Sequence, residues 1–250
     1  MPNHINMIVL ENLTKSYGEY KVLMGISLEV ARYEILALVG PSGCGKSTLL
    51  RIIAGLEQPD SGKVRIDGNI VSSSSIMVSP AKRKLAMIFQ DLALWPHMTA
   101  KAHLEFVLKS RHRSKESFED NIQEIFQAVN LNGHAKRYPH ELSGGEQQRL
   151  AIARALAQKP SYMLMDEPFS NLDPILKGEL ELFISTLKAK LNMGIIYVTH
   201  NVEDLVRIVD RIAVMNHGKL RQIGKKEAVF NQPRDDFVKK ILKIEENLRL

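Results

Sequence analysis

Nine consecutive residues, Gly40-Pro41-Ser42-Gly43-Cys44-Gly45-Lys46-Ser47-Thr48, have the make-up of a phosphate-binding loop. The glycines let the backbone curl until several N–H groups converge on one oxyanion. Lys46 is placed to reach the outer phosphates of a nucleotide, and the Ser47 hydroxyl is a hard oxygen donor suited to Mg2+. The spacing fits G-x-x-x-x-G-K-[ST], which acts only between a strand and a helix. The apolar run Ile35–Val39 supplies the strand. Lys46 to Ala54, apolar at Leu49, Leu50, Ile52 and Ile53, supplies the helix, whose N-terminal dipole faces the anion.

A second apolar strand, Tyr162-Met163-Leu164-Met165, ends in two acids, Asp166 and Glu167. A nucleotidase with such a loop needs a carboxylate at the end of a neighbouring strand to hold Mg2+ through water, and Asp166 suits that role. Glu167, one residue further, is placed to face the terminal phosphate and accept a proton from attacking water. Two adjacent acids with different tasks point to hydrolysis rather than to transfer onto a second substrate. The bland reading makes both merely caps of the loop at Pro168.

Leu142-Ser143-Gly144-Gly145-Glu146-Gln147-Gln148-Arg149 opens another helix. Ser143 with Glu146 three residues on forms a capping box. That accounts for both residues but not for two consecutive glycines, which weaken a helix and allow something to approach its N-terminus. Two helix starts suit phosphate, and only one carries a lysine loop. Either the chain binds two anions, or the second start completes a site on another copy.

The surrounding pattern supplies the scaffold. Ile8–Leu13 and Val22–Val30 alternate like sheet, and Gln58-Pro59-Asp60-Ser61-Gly62 reads as a turn. Lys63–Ile66 and Leu85–Phe89 read as short strands, with the polar run Ser72–Ser75 between them a surface loop. Helices are expected at Ala100–Lys109, Lys115–Asn130 and Glu146–Gln158. The last third alternates strand Tyr162–Met165, helix Ile175–Leu191, strand Ile195–Thr199 and helix Val202–Val209. A hairpin follows over Arg211–Ile223, turning at Asn216-His217-Gly218, and a charged amphipathic tail comes last. This is an α/β chain with a mostly parallel sheet core, an N-terminal antiparallel β part and an inserted helical subdomain. The expected division of a single domain is 1–90 with 161–224 as catalytic core, 91–160 as helical subdomain and 225–250 as helical tail.

Bulk properties exclude little else. With 250 residues, 44% hydrophobic and 25% charged, the chain has a globular balance. Its single cysteine, Cys44, forbids an internal disulfide and is read as a small loop residue, where a bulky thiol reagent would block nucleotide by sterics. No apolar run approaches the ~20 residues of a membrane helix. Met1–Leu10 lacks the basic and apolar regions of a secretory signal, so a cytosolic location is expected. The net charge is +6, with basic clusters at Lys82–Lys84, Arg111–Lys115 and Lys239–Lys243 read as solvated faces, and no nucleic-acid partner is expected. His97, His103, His112, His134 and His140 show no compact ligand spacing.

In this order, the motifs of residues 10–224 resemble those of the nucleotide-binding subunit of ATP-binding-cassette transporters. Gly40–Ser47 resembles the Walker A loop, Leu142–Gln147 the family signature, and Met163–Glu167 the Walker B strand with its catalytic glutamate. Gln90 is similar to the Q-loop glutamine, which contacts Mg2+ and the attacking water. Ser170-Asn171-Leu172-Asp173 is similar to the D-loop, His200 to the switch histidine, and Tyr17 to the aromatic residue that stacks on adenine. The resemblance implies head-to-tail pairing of two copies, with Ser143, Gly144 and Gly145 of one touching the γ-phosphate of ATP held by the other. It also implies membrane subunits as partners, placement on the cytosolic face of the membrane and, in some systems, a substrate-binding protein.

Trp95-Pro96-His97-Met98-Thr99 resembles a stretch in importers for maltose, polyamines and ferric iron, where the helical part receives a short coupling helix. Those ATPases usually carry a C-terminal regulatory β-domain, and the stretch before Leu250 is too short for one. The expected function is therefore an importer motor. The rivals are a soluble cassette ATPase acting on DNA, ribosomes or cluster assembly, and a cassette-shaped module without catalysis.

Overall fold

The computed structural model describes residues 6–109, 116–170, 172–200 and 207–243. The N-terminal part is an antiparallel sheet of β1 (Met7–Tyr17), β2 (Tyr20–Ala31), β4 (Ser61–Ile66) and β5 (Asn69–Ser73), in the order β2-β1-β4-β5. The central sheet contains β3 (Ile35–Val39), β6 (Leu85–Ile88), β7 (Tyr162–Asp166), β8 (Gly194–Val198), β9 (Arg211–Asn216) and β10 (Lys219–Lys225). Its order is β10-β9-β3-β8-β7-β6, parallel throughout except for the β9–β10 hairpin. β3, β8 and most of β7 and β9 are apolar because helices or the second sheet cover both their faces.

The period-2 geometry of strands divides the core. Leu36 and Leu38 of β3, with Leu164 and Ile196, face α1 (Lys46–Ala54) and the antiparallel sheet. Ile35, Ala37 and Val39, with Met163, Met165 and Ile195, face the helices on the other side. Those helices are α2 (Ala100–Lys109), α3 (Glu116–Ala128), α4 (Gly144–Leu156) and α5 (Pro174–Leu191). α1 is thus clasped between two sheets, and its four large apolar side chains, Leu49, Leu50, Ile52 and Ile53, are fully buried, each contributing roughly 1.5–3 kcal/mol relative to exposure. Two short helices, α6 (Lys226–Asn231) and α7 (Asp236–Ile241), follow β10, where one amphipathic stretch is expected.

Several expectations need correction. Ser72 and Ser73 lie in β5 and are buried, not in a surface loop. Ser72 tolerates burial because its hydroxyl donates to Ile52 O and accepts from Arg83. Arg83 is not solvated either, and is only 4% exposed. Its guanidinium donates to the carbonyls of Ile52, Ile53, Val71 and Val78, tying the end of α1 to β5 and to the segment before β6. Burial lowers its pKa to about 10, so it remains charged at neutral pH. Gly55, in the left-handed region at φ 81, ends α1 and makes room, since a Cβ there would lie 2.5 Å from the guanidinium. The helix expected at Glu146–Gln158 begins at Gly144 and ends at Leu156. Most of the expected helix 202–209, the cluster Arg111–Lys115, His112 and Asn171 lie outside the described residues.

Candidate functional site

The glycine loop follows β3 directly and turns into α1. Gly40 packs so closely on β9 that a Cβ would lie 2.2 Å from Met215 O. Gly45 is in the left-handed region at φ 105 and abuts Val22 and Leu23 of β2. These two positions admit no side chain, because backbone occupies the space. Pro41, Ser42 and Gly43 form the exposed crest. Cys44 is buried beneath it, and burial pushes its thiol pKa up, so a thiol reagent meets an enclosed, protonated group rather than an open one.

Lys46 is buried along its stem and folds back over the loop, its Nζ donating to Gly40 O at 2.8 Å and Pro41 O at 3.0 Å. Ser47 Oγ donates to Asp166 Oδ1 at 3.1 Å, joining the loop to the end of β7. Burial is the main cause that lifts the Asp166 pKa above its ordinary value, and the neighbouring charge of Glu167 adds to it. Glu167 sits in the left-handed backbone region at φ 48, sparsely populated for a residue with a side chain. Its N–H still bonds Val198 O on β8 at 3.1 Å, so the sheet holds it there. The bend separates the two acids: Asp166 meets Ser47, while Glu167 lines the cavity and meets His200 Nδ1 through Oε2 at 3.0 Å. A carboxylate only accepts, so Nδ1 is the donor.

Tyr17, Tyr20, Val22, Ser42, Gly43, Gly45, Lys46, Ser47, Thr48 and Glu167 line one cavity of about 390 Å3. Tyr17 keeps an exposed ring, while its hydroxyl donates to Glu57. Lys15 Nζ lies 5.6 Å from that ring's centre. Tyr20 and Val22 of the lining, and the neighbours Glu57 and Lys15, are site residues that sequence reasoning missed; none sits in a stretch with motif spacing.

Other expected site residues stand apart from this cavity. Gln90 follows β6, is exposed and is not part of the lining. Ser143 caps α4 in a reciprocal box, its Oγ accepting from Glu146 N–H at 3.3 Å while Glu146 Oε2 accepts from Ser143 N–H at 2.8 Å. Ser143 and Gly144 are exposed, but Gly145 packs against Leu176 of α5, where a Cβ would lie 2.7 Å away. One of the two glycines therefore serves contact within the chain. Asp173 caps α5, its Oδ1 accepting from Ile175 and Leu176 N–H.

The Asp166 environment yields a sign for stability. A folded-state pKa above the unfolded one means that the native state binds more protons. Stability therefore falls as pH rises from the ordinary carboxylate range through the raised value, and the full penalty is present above it. Asp166→Asn, which retains an acceptor for Ser47, is expected to raise the melting temperature of the nucleotide-free protein at pH 7 while removing turnover. A lower melting temperature in a thermal scan would contradict the burial account.

A parallel sheet with a lysine-bearing glycine loop at the C-terminal end of one strand and a carboxylate at the end of another defines a P-loop nucleoside-triphosphatase fold. A family model described as ABC transporter matches residues 23–170, and the chain belongs to that family. The spermidine/putrescine import ATP-binding protein PotA of Chromobacterium violaceum is 40% identical over 93% of this chain and 63% of its own length. The sn-glycerol-3-phosphate import ATP-binding protein UgpC of Brucella abortus is 42% identical over 94% of this chain and 66% of its own length. The sulfate/thiosulfate import ATP-binding protein CysA of Burkholderia mallei is 42% identical over 94% and 67%. The chain thus spans about two thirds of the length of these relatives. Among solved structures, the dimeric bacterial ABC transporter cassette MJ0796 has a TM-score of 0.77 at 31% identity, covering 88% of this chain and 98% of its own. The protein cbiO1 of Clostridium perfringens, part of a complex called cbiONQ, has a TM-score of 0.83 at 25% identity, covering 97% and 95%.

Proposed function

We propose that this chain is the ATP-hydrolysing motor of an ABC importer, working as a head-to-tail pair of copies beneath membrane subunits. The observation that carries the reading is one cavity bordered by the glycine loop with Lys46, by Ser47 paired to Asp166, and by Glu167 paired to His200. In this reading the loop's N–H groups and Lys46 bind the phosphates of ATP, with Tyr17 offering its ring to adenine. Glu167 takes a proton from the attacking water, and His200 orients the Glu167 carboxylate through Nδ1. Gln90 and Asp173 lie outside the cavity lining; in this reading Gln90 contacts Mg2+ and the attacking water, and Asp173 takes its role when two copies meet.

The residues present fit Mg2+. Ser47 and Asp166 form a hard oxygen pair, and the raised pKa of Asp166 marks a carboxylate that a cation would relieve. Among the described residues no group of three or more His, Cys, Asp or Glu side chains could hold a metal by itself. The ion would therefore share its coordination with nucleotide phosphates, as Mg2+ commonly does. Mg2+ bound there would neutralise charge developing on the transferred phosphate.

Ser143 and Gly144, at an exposed helix start outside the Lys46 cavity, fit completion of the site on a second copy better than a second anion on the same one. A separate apolar cavity of about 420 Å3, bordered by Leu56, Phe89, Phe106 and Val107, offers a seat for a short helix of a membrane subunit. Among the described residues no helix is long and apolar enough to cross a membrane, so this reading places the chain on the cytosolic face through its partners. Cargo is selected elsewhere in this reading: relatives named for polyamines, glycerol phosphate and sulfate are 40%, 42% and 42% identical to this chain. A substrate-binding protein completes the assembly in this reading.

The test is pull-down from detergent-solubilised membranes combined with phosphate release. Integral membrane proteins are expected to accompany the chain, and ATP hydrolysis is expected to disappear in Lys46→Ala. Recovery of ribosomes, or of DNA in a salt-sensitive manner, would replace the importer reading with the soluble one.

A further inference from the structure

Between α3 and the 3-10 turn at Pro139–Glu141 runs a loop fastened on both sides. On one side its carbonyls cap α2: Ala135 O accepts from Lys101 N–H at 2.9 Å, and Arg137 O from Ala100 N–H at 2.8 Å. These are orphan donors of the first turn of α2, the helix that carries Phe106 and Val107 of the apolar cavity. On the other side His134 Nε2 meets Glu146 Oε1 at 2.9 Å. Glu146 is the residue whose other oxygen holds the Ser143 N–H at 2.8 Å.

The ring of His134 is itself held. Its Nδ1 lies 3.0 Å from Asn132 O, and its backbone is closed by Arg137 N–H to His134 O at 3.0 Å. Carbonyl and carboxylate oxygens only accept, so a ring N–H is the donor wherever His134 bonds either neighbour. His134 and Glu146 are both largely shielded, at 22% and 29% side-chain exposure. A ring N–H donating to the Glu146 carboxylate is a charge-assisted bond in a partly shielded setting. The Glu146 carboxyl is held below its ordinary range chiefly by the Ser143 backbone bond, with His134 and Arg137 adding to it.

We propose that His134 is a positioning residue for nucleotide-driven pairing: through Glu146 it fixes the exposed Ser143 helix start, and through its loop it ties that start to the N-terminus of α2. This rests on the reading that Ser143 of one copy closes the site of the other. Movement of α2, the helix that borders the apolar cavity, then reaches the phosphate-facing helix start through two short links as well as through the packing of α2 on α4. The single copy's own nucleotide site contains none of these groups, so His134 should govern pairing and leave binding by one copy untouched.

The experiment uses the Glu167→Gln chain, with MgATP titrated while dimer is measured by analytical ultracentrifugation. Binding to single copies is followed in parallel at high dilution with a fluorescent ATP analogue. Adding His134→Ala is expected to raise the MgATP concentration for half-maximal pairing about five-fold, the effect of losing ~1 kcal/mol. Single-copy affinity is expected to stay within about two-fold, and His134→Gln, which retains a donor toward Glu146, to restore most of the loss. His134→Leu, of similar bulk and without a donor, serves as a second removal and should match His134→Ala. Unchanged pairing in both removals, or a parallel loss of single-copy affinity, overturns the proposal. Failure of the Glu167→Gln parent to pair at all removes this inference together with the proposed function. Pairing of the parent that His134 does not influence removes this inference alone.

Discussion

Glu167→Gln is expected to bind MgATP normally and to turn it over at least ~10²-fold more slowly than the parent chain, the lower end of what a positioned general base contributes. The geometry makes the glutamate unusual in three respects. It occupies a left-handed backbone conformation at φ 48, it lines the loop cavity, and its carboxylate receives His200 Nδ1 at 3.0 Å. Holding a side-chain-bearing residue in such a conformation costs on the order of 1 kcal/mol. The β8 hydrogen bond from its N–H to Val198 O offsets that locally. Glutamine preserves shape and still accepts from His200, so folding and nucleotide affinity should survive while proton acceptance is lost. Steady-state phosphate release and an equilibrium binding titration separate the two quantities. Hydrolysis at the parent rate would remove Glu167 from the chemistry; equal loss of binding would make its role structural.

Arg83→Met carries the largest expected effect on stability. Four carbonyls and the Ser72 hydroxyl converge on this one guanidinium from α1, β5 and the segment before β6. No carboxylate is among these partners, so the substitution strands acceptors rather than a counter-charge. Each buried acceptor left without a donor costs about 1–3 kcal/mol, although Ile52 O and Val71 O keep other donors. A loss of about 3 kcal/mol follows, which for a chain of this size lowers the melting temperature by about 6–12 °C. Arg83→Lys should fall between, because an ammonium has three donors on one point and cannot span acceptors that a planar fork reaches. A Met variant that melts with the parent would show that these bonds contribute nothing net.

How far the sequence carried this reading differs by residue. The loop Gly40–Thr48 was legible because its chemistry demands fixed spacing and its strand and helix adjoin it. The buried strands β3, β7 and β8 were legible because parallel strands covered on both faces read as continuous apolar runs. The family, the mixed α/β architecture and the antiparallel N-terminal part followed from motif order and alternation. Arg83 was not legible: between two lysines it reads as a solvated cluster, and its acceptors come from backbone segments up to 31 residues away. The Ser72–Ser75 run misled in the same way, since a polar pair can be buried once a buried arginine needs its oxygens. Gly145 looked available to an outside partner, yet Leu176 of α5 fills its space. The left-handed turn at Glu167, which lets two neighbouring acids serve different contacts, is set by the bond to β8, a feature of pairing that no local pattern announces.

In the proposed pairing two copies share one triphosphate, and the MgATP-bound structure of Glu167→Gln addresses that directly. The expected result is a dimer in which the Ser143 hydroxyl or the amides of Gly144 and Gly145 lie about 3 Å from a phosphate oxygen held by the other copy's Lys46 loop. Ser143 remote from every phosphate, in its own copy's site and in its neighbour's, would contradict it.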